Sequence, residues 1–117
     1  MENEQKIAIV KRYIDALSND DFDVIKDIYA DNATIEDPVG SEPNEGIEAI
    51  LAFYQRLKGM GVKLALTGAV RCAGNSAAFP FTATVGGNTL EIIDVFEFNN
   101  EGKVQSMKAF WSPENRV

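Results

Sequence analysis

The chain has 117 residues, of which 45% are apolar, and a formal net charge of −7. This length and apolar content predict a single folded domain over residues 1–117 with a core of its own, and they exclude a disordered chain. The acidic balance argues against nucleic acid and against an anionic membrane surface as partners, because no basic patch is present to neutralise phosphates.

The sequence contains no histidine and one cysteine, Cys72. The absence of histidine excludes Ser-His-Asp and Cys-His nucleophilic systems and His-ligated zinc. Calcium-loop and glycine-rich nucleotide motifs are also absent, so no nucleotide site is expected and only a metal site made of carboxylates alone stays open. Any catalysis must therefore use Asp, Glu, Tyr or Lys. The acidic N-terminus does not resemble a signal peptide, and together with the lone cysteine it favours a cytoplasmic protein.

The first half of the chain has helical periodicity. Residues 4–18 carry apolar side chains three and four apart and predict an amphipathic helix with Ile7, Val10, Ile14 and Leu17 inward. A second helix is predicted over about residues 21–30, and "ATIED" predicts a short strand. The segment "VGSEPNEG" favours turns, and residues 45–58 predict a third helix.

From Val62 onward the apolar period changes to two, which predicts strands. We expect them at residues 62–73, 76–86, 89–98 and 103–111, with hairpin connections at 86–88 and 99–102. Helices followed by a run of antiparallel strands indicate an α+β domain, with the helices packed on one face of a curved sheet.

The strand "LEIIDVFEF" places Asp94 in the middle of its more apolar face, beside Ile92 and Phe96. Burial at such a position raises the pKa of a carboxyl group and favours its protonated form. The alternative is that both faces are partly hydrated and that Asp94 is solvated or paired with Lys108.

Three tyrosines lie on or beside inward helical faces: Tyr13, Tyr29 and Tyr54. A buried tyrosine hydroxyl usually finds a hydrogen-bond partner. The three hydroxyls could share one hydrogen-bond network, or the side chains could be three separate core aromatics.

The segment "TIEDPVGSEP" carries two adjacent acids before a proline. Burial of Ile35 would direct Glu36 outward and Asp37 inward. Pro38 has no N–H to satisfy the Asp37 carboxylate, which suits a general base. The alternative is an ordinary solvated turn carboxylate.

Large apolar residues accompany these acids on the strands. Phe81 and its neighbours share one strand face, and Met107, Ala109 and Trp111 share another. Such side chains usually form core, but they could also wall a pocket for a flat apolar ligand.

Taken together, these segments resemble the Δ5-3-ketosteroid isomerases, within the wider nuclear-transport-factor-2-like (NTF2-like) or SnoaL-like superfamily. The resemblance runs nearly end to end and rests on five segments: "VKRYIDAL", "YADNATIEDPVGSEP", "LAFYQRL", "EIIDVFEFN" and "VQSMKAFWS". It implies an α+β fold in which a cone-shaped, curved, antiparallel or mixed β-sheet wraps around three N-terminal helices. It also implies a homodimer, no cofactor, and isomerisation of apolar 3-oxo-Δ5-steroids to their conjugated Δ4 forms.

The resemblance also implies a role for individual residues. The general base falls on Asp37, and the two oxyanion-hole donors fall on Tyr13 and Asp94. Ketosteroid isomerases are known to keep the second of these donors protonated at pH 7. This property is assigned to Asp94 through the resemblance and is not a prediction from the sequence. Tyr29 and Tyr54 would support the hydrogen-bond network. Residues expected to contact the substrate are Leu17, Phe53, Val62, Phe81, Met107, Ala109 and Trp111.

Two other functions stay open from the sequence. One is another enzyme on this fold, such as a polyketide cyclase or an epoxide hydrolase. The other is a non-catalytic module that binds a steroid or another hydrophobic ligand. The segments near residues 57–62 and 86–89 are shorter than in one branch of the family, so the preferred steroid stays open as well.

Overall fold

The computed structural model describes residues 1–117. Its helices are α1 (Asn3–Ser18), α2 (Phe22–Ile28) and α3 (Ile47–Gln55), and a 3-10 turn follows at Pro113–Asn115. Its strands are β1 (Tyr29–Glu36), β2 (Asn44–Glu45), β3 (Lys63–Leu66), β4 (Arg71–Ala73), β5 (Ser76–Val85), β6 (Asn88–Phe98) and β7 (Val104–Phe110).

Local side-chain bonds define where the first two helices begin. The backbone N–H of Glu2 donates to Oε1 of Gln5 at 2.8 Å, which satisfies a group that the first turn of α1 leaves unpaired. Asp21 precedes α2 and accepts from the backbone N–H of Val24 at 3.4 Å. Between the two helices, Asp20 has a φ of 54°, so the chain turns sharply there.

The seven strands form one open sheet in the order β2-β1-β7-β6-β5-β3, and β4 also pairs with β5. The β1–β7 pair is parallel and the other pairs are antiparallel, so the sheet is mixed. The helices cover one face, and side chains from both layers form a single core cluster. The predicted α+β class, with a curved sheet around three helices, is confirmed. No helix has the length and apolar character needed to span a membrane.

The predicted strand over residues 62–73 is wrong, because the chain forms two short strands there, β3 and β4. Both pair with β5, on either side of Pro80. The carbonyl of Pro80 accepts from the N–H of Thr67 at 3.0 Å, but proline has no N–H to return a bond. The ladder is therefore interrupted at this proline, and residues 67–70 loop out.

Other boundaries also differ from the prediction. The second helix ends at Ile28, so Tyr29 begins β1 rather than lying on a helix, and β1 is longer than "ATIED". The third helix is shorter than residues 45–58, and the turn-rich segment contains the two-residue strand β2. On α1, Lys6 is buried and Ile7 only half-buried, because the Lys6 ammonium donates to the carbonyl of Gly74 at 2.5 Å.

Candidate active site

A cavity of about 280 Å³ lies between the helices and the inner face of the sheet. Of its 15 lining residues, 13 are hydrophobic. They are Tyr13, Leu17, Asp37, Phe53, Tyr54, Leu57, Val62, Leu64, Phe81, Ala83, Val85, Leu90, Ile92, Asp94 and Trp111. Two larger clefts, of about 570 and 710 Å³, are lined mainly by polar residues. The apolar cavity is the one suited to a flat hydrophobic ligand, because its few polar groups are acids, tyrosines and an indole.

The structure brings most of the sequence-predicted site residues to this cavity. The exceptions are Tyr29, Met107 and Ala109, which are at most 2% exposed and belong to the core behind the cavity. The two β7 residues lie on a central strand between β1 and β6, where core side chains cover them. Residues that the prediction missed include Leu57, Leu64, Leu90 and Ile92. The sequence could have predicted Leu90 and Ile92, because they lie on the same face of β6 as Asp94.

Asp94 lies in β6 opposite Phe79 on β5 and Ala109 on β7, and it is 2% exposed. Its Oδ2 accepts from the Tyr13 hydroxyl at 3.4 Å, whereas its buried Oδ1 has no partner. The alternative of pairing with Lys108 is wrong, because Lys108 is exposed and lies opposite Val95, on the other face of the sheet.

Burial raises the pKa of Asp94 well above its ordinary value, and the negative charge of Asp37 raises it further. The hydrogen bond from Tyr13 acts in the opposite direction and is the smallest of the three effects. Asp94 therefore favours its neutral form, in which a carboxyl O–H can donate into the cavity.

The three tyrosines form one buried hydrogen-bond chain that ends at Asp94. The hydroxyls of Tyr29 and Tyr54 are 2.7 Å apart, and those of Tyr54 and Tyr13 are 3.1 Å apart. The Tyr13 ring also packs edge-on against Phe96, with a centroid distance of 5.0 Å. Burial raises the pKa of each tyrosine well above its usual range, so all three hydroxyls stay neutral and can donate.

Asp37 directly follows β1 and reaches the cavity from the side of the sheet. Ile35 is fully buried, and the Glu36 carboxylate turns away to accept from the N–H of Gly40 at 2.8 Å. The peptide bond between Asp37 and Pro38 is cis. The predicted inward orientation of Asp37 is thus what the structure has, and the solvated-turn alternative does not apply.

The indole Nε1 of Trp111 donates to Oδ1 of Asp37 at 2.6 Å. Burial raises the pKa of the Asp37 carboxyl above its ordinary value, and this bond lowers it in part because it stabilises the charged form. Sequence reasoning placed Trp111 on the wall but missed this bond, since nothing in the sequence links two residues 74 positions apart.

The cavity thus combines a half-buried carboxylate with two neutral donors, Tyr13 and Asp94. Groups of this kind can remove a proton from a bound molecule and stabilise the negative charge that results. No group of three or more His, Cys, Asp or Glu side chains in this chain is arranged to hold a metal ion.

Comparison with known proteins shows the family to which the chain belongs. The family model described as a SnoaL-like domain matches residues 10–107. The chain belongs to the SnoaL-like family. This SnoaL-like chain is 40% identical over 114 residues to a steroid Δ-isomerase of Nocardioides simplex, a match that covers 94% of this chain and 92% of the relative.

A solved structure shares the same SnoaL-like fold. It is that of SalBIII, an epoxide hydrolase/cyclase-like enzyme with a role in pyran ring formation in the polyether salinomycin. The two chains are 30% identical and superpose with a TM-score of 0.89, covering 99% of this chain and 98% of the other.

Proposed function

We propose that this chain is a steroid Δ-isomerase that converts 3-oxo-Δ5-steroids to their conjugated 3-oxo-Δ4 isomers by moving one proton within the substrate. The observation that carries the proposal is the presence, in one apolar cavity, of Asp37 together with Tyr13 and the unpartnered Oδ1 of Asp94. The 40% identity to a steroid Δ-isomerase supports the same activity.

Asp37 acts as the general base. Its carboxylate takes a proton from the carbon between the ketone and the double bond, and the C–H electron pair moves into the ring system to give a dienolate. The neutral Asp37 carboxyl then returns that proton to the far carbon of the former double bond, and the electrons move back to reform the ketone. The base leaves the cycle as it entered, so the scheme requires no metal, nucleotide or other cofactor.

Tyr13 and Asp94 stabilise the intermediate. As the dienolate forms, negative charge develops on the ketone oxygen, and both groups donate hydrogen bonds to it. The Tyr13 hydroxyl turns its one proton from Oδ2 of Asp94 to that oxygen. Preorganised donors in a dry cavity stabilise such charge strongly, at about 2.7–4 kcal/mol for each donor. Tyr54 and Tyr29 orient the Tyr13 hydroxyl through the buried chain of hydrogen bonds.

The apolar walls hold the rings of the substrate. The residues that line the cavity with flat or branched surfaces include Leu17, Phe53, Val62, Phe81 and Trp111.

The proposal includes a homodimer, as the resemblance implies. Ile93 and Phe110, a cross-strand pair on the outer face of the sheet, are 49% and 47% exposed and suit a contact between copies. Sedimentation analysis tests this part separately.

Cyclisation or epoxide opening is the second candidate, favoured by the likeness to SalBIII. An acid and a carboxylate in one cavity could also serve that chemistry. A hydrolase, however, needs polar side chains that position a water molecule. Apart from the two carboxyl groups, the two tyrosine hydroxyls and the indole, the lining of this cavity is apolar. The isomerase proposal therefore fits the lining better.

The direct test is to mix purified protein with a 3-oxo-Δ5-steroid and follow the ultraviolet absorbance of the conjugated enone. We expect stoichiometric conversion, with the abstracted hydrogen retained in the product when the substrate is deuterated at the reacting carbon. Absence of conversion, together with opening of an epoxide substrate under the same conditions, would favour the second candidate.

A further inference from the structure

The depth of the cavity can be measured along β6. Asp94 and Leu90 both line it, and they are four residues apart on the same strand face. At 3.2–3.4 Å per residue this separation is about 13 Å, comparable to the length of a four-ring steroid nucleus. If the ketone contacts Tyr13 and Asp94, as the proposed function requires, the opposite end of the ring system reaches the level of Leu90. A substituent at that end emerges at the cavity mouth.

The segment after the 3-10 turn runs beside Leu90, next to this mouth. Arg116 pairs with Leu90 in an antiparallel bridge, and the N–H of Val117 donates to the carbonyl of Thr89 at 2.9 Å. Side chains of directly paired residues project to the same face of a sheet, so Arg116 lies on the cavity side, as Leu90 does. Its exposed guanidinium donates to the neutral Oδ1 of Asn88 and forms no salt bridge.

One side of the mouth is formed by the loop that follows α3. Leu57 and Val62 of this loop line the cavity, and the neighbouring Arg56 and Lys58 are exposed and form no salt bridge. The guanidinium of Arg56 lies 5.9 Å from the centroid of the Phe53 ring, which is itself part of the cavity wall.

One carboxylate also touches this loop. Asp20 accepts from the backbone N–H of Gly59 at 3.0 Å. The mouth therefore carries three cations that form no salt bridge, against two acids, Asp20 and Glu114, the second of which lies two residues before Arg116 in the 3-10 turn. The net charge of the whole chain is −7. This local excess of positive charge is the reverse of the overall balance.

We propose that the cavity mouth recognises an anionic group, a carboxylate or a sulfate ester, on the end of the steroid opposite the ketone, with Arg116 as the main anchor and Arg56 and Lys58 assisting. The guanidinium offers two parallel donors that match the oxygens of such a group. The polar residues of the cavity either contact the ketone or take part in proton transfer. Around Leu90 the cavity is lined by apolar residues. Charge at the mouth is therefore the feature that distinguishes one substituent from another.

The test compares two ligands that differ only in charge. A 3-oxo-Δ4-steroid with a carboxylate-ended side chain and its primary amide are each titrated into the protein by calorimetry, at low and at high salt. Both have the product's ring system, so the comparison needs no turnover. We expect the acid to bind about fivefold more tightly than the amide at low salt, the upper range for an exposed ion pair, and the difference to shrink as salt is added. A sulfate ester and its parent alcohol form a second arm that separates the two anions.

Variants then assign the effect. Arg116→Gln is expected to remove most of the preference for the acid, and Arg56→Gln with Lys58→Gln the remainder. Lys11→Gln, which removes an equal charge from the exposed side of α1, should leave the ratio unchanged. Equal affinity for acid and amide in the unaltered protein, in both arms, would overturn the proposal. A preference that survives Arg116→Gln would overturn the assignment of the anchor. Turnover of a neutral 3-oxo-Δ5-steroid, measured in parallel, reports on the proposed function by itself.

Discussion

The indole of Trp111 donates a hydrogen bond of 2.6 Å to the carboxylate of Asp37. This contact joins the first residue after β7 to the first residue after β1, the two strands that pair in parallel. It engages one carboxylate oxygen, Oδ1, and leaves the other free to reach a substrate. The bond also opposes the effect of burial, because a donor to the charged form keeps the base ionised.

Replacing Trp111 with Phe should move the acid limb of the pH–rate profile to higher pH. The base must be ionised to act. Loss of the donor raises the pKa of Asp37, so at a given acidic pH a larger fraction of Asp37 is protonated and inactive. The measurement is kcat/KM against pH. Phe53→Leu is the matched control, since Phe53 lines the wall without bonding to Asp37, and it should alter KM without moving the limb. An unchanged profile in Trp111→Phe would contradict the inference that this hydrogen bond keeps Asp37 ionised.

Asp37→Asn should nearly abolish turnover while steroid binding is retained. An amide fills the same space and can still contact Trp111, but it cannot accept the substrate proton. General bases contribute about 10²–10⁴-fold, and we expect a loss of at least that size. Stopped-flow kinetics measures the loss of turnover, and calorimetric titration with the product measures whether binding is retained. Substantial turnover in this variant would move the base to another residue.

Two substitutions of Asp94 should differ sharply. Asp94→Asn keeps a donor facing the ketone oxygen and should retain much of the activity. Asp94→Leu removes the donor and should cost about 2.7–4 kcal/mol of barrier, or roughly 10²–10³-fold in kcat. The check is kcat for both variants at neutral pH beside the unaltered protein. If Asp94→Asn is as inactive as Asp37→Asn, or Asp94→Leu is fully active, the neutral-donor role is wrong.

The raised pKa of Asp94 also predicts how stability depends on pH. An unfolded Asp ionises near pH 3.9, whereas burial holds the folded group protonated well above that value. Between these two pKa values the native state binds more protons than the unfolded state, so the free energy of unfolding should fall as pH rises. Asp37 adds an effect of the same sign, because its pKa is also raised.

Denaturant unfolding at a series of pH values measures this slope. Asp94→Asn should make the slope shallower and leave only the part due to Asp37, since the amide has no proton to lose. Lys108→Gln, a charge change on the outer face of the sheet, should leave it in place. A steep decline that persists in Asp94→Asn would assign the effect to another buried group.

Several features of the site follow from the sequence alone. Strict alternation along β6 puts Asp94 on the apolar face, because successive strand residues point to opposite sides of a sheet. The same rule directs Asp37 inward once Ile35 is buried. The lack of histidine restricts the acid–base chemistry to carboxylates and tyrosines. These inferences hold because each depends on the two-residue repeat of a strand or on composition. Long-range packing alters neither of these.

Other features were decided only by tertiary structure. The Trp111–Asp37 bond and the tyrosine chain join residues 25–81 positions apart, and no local pattern encodes such distances. Lys6 is buried on a helix whose spacing favours Ile7, because the carbonyl of Gly74 accepts its ammonium and offsets part of the cost of burying it. Met107 and Ala109 lie behind the cavity rather than on its wall, since alternation determines a residue's face but not what covers that face. Long-range packing decides such positions, and it depends on which elements meet.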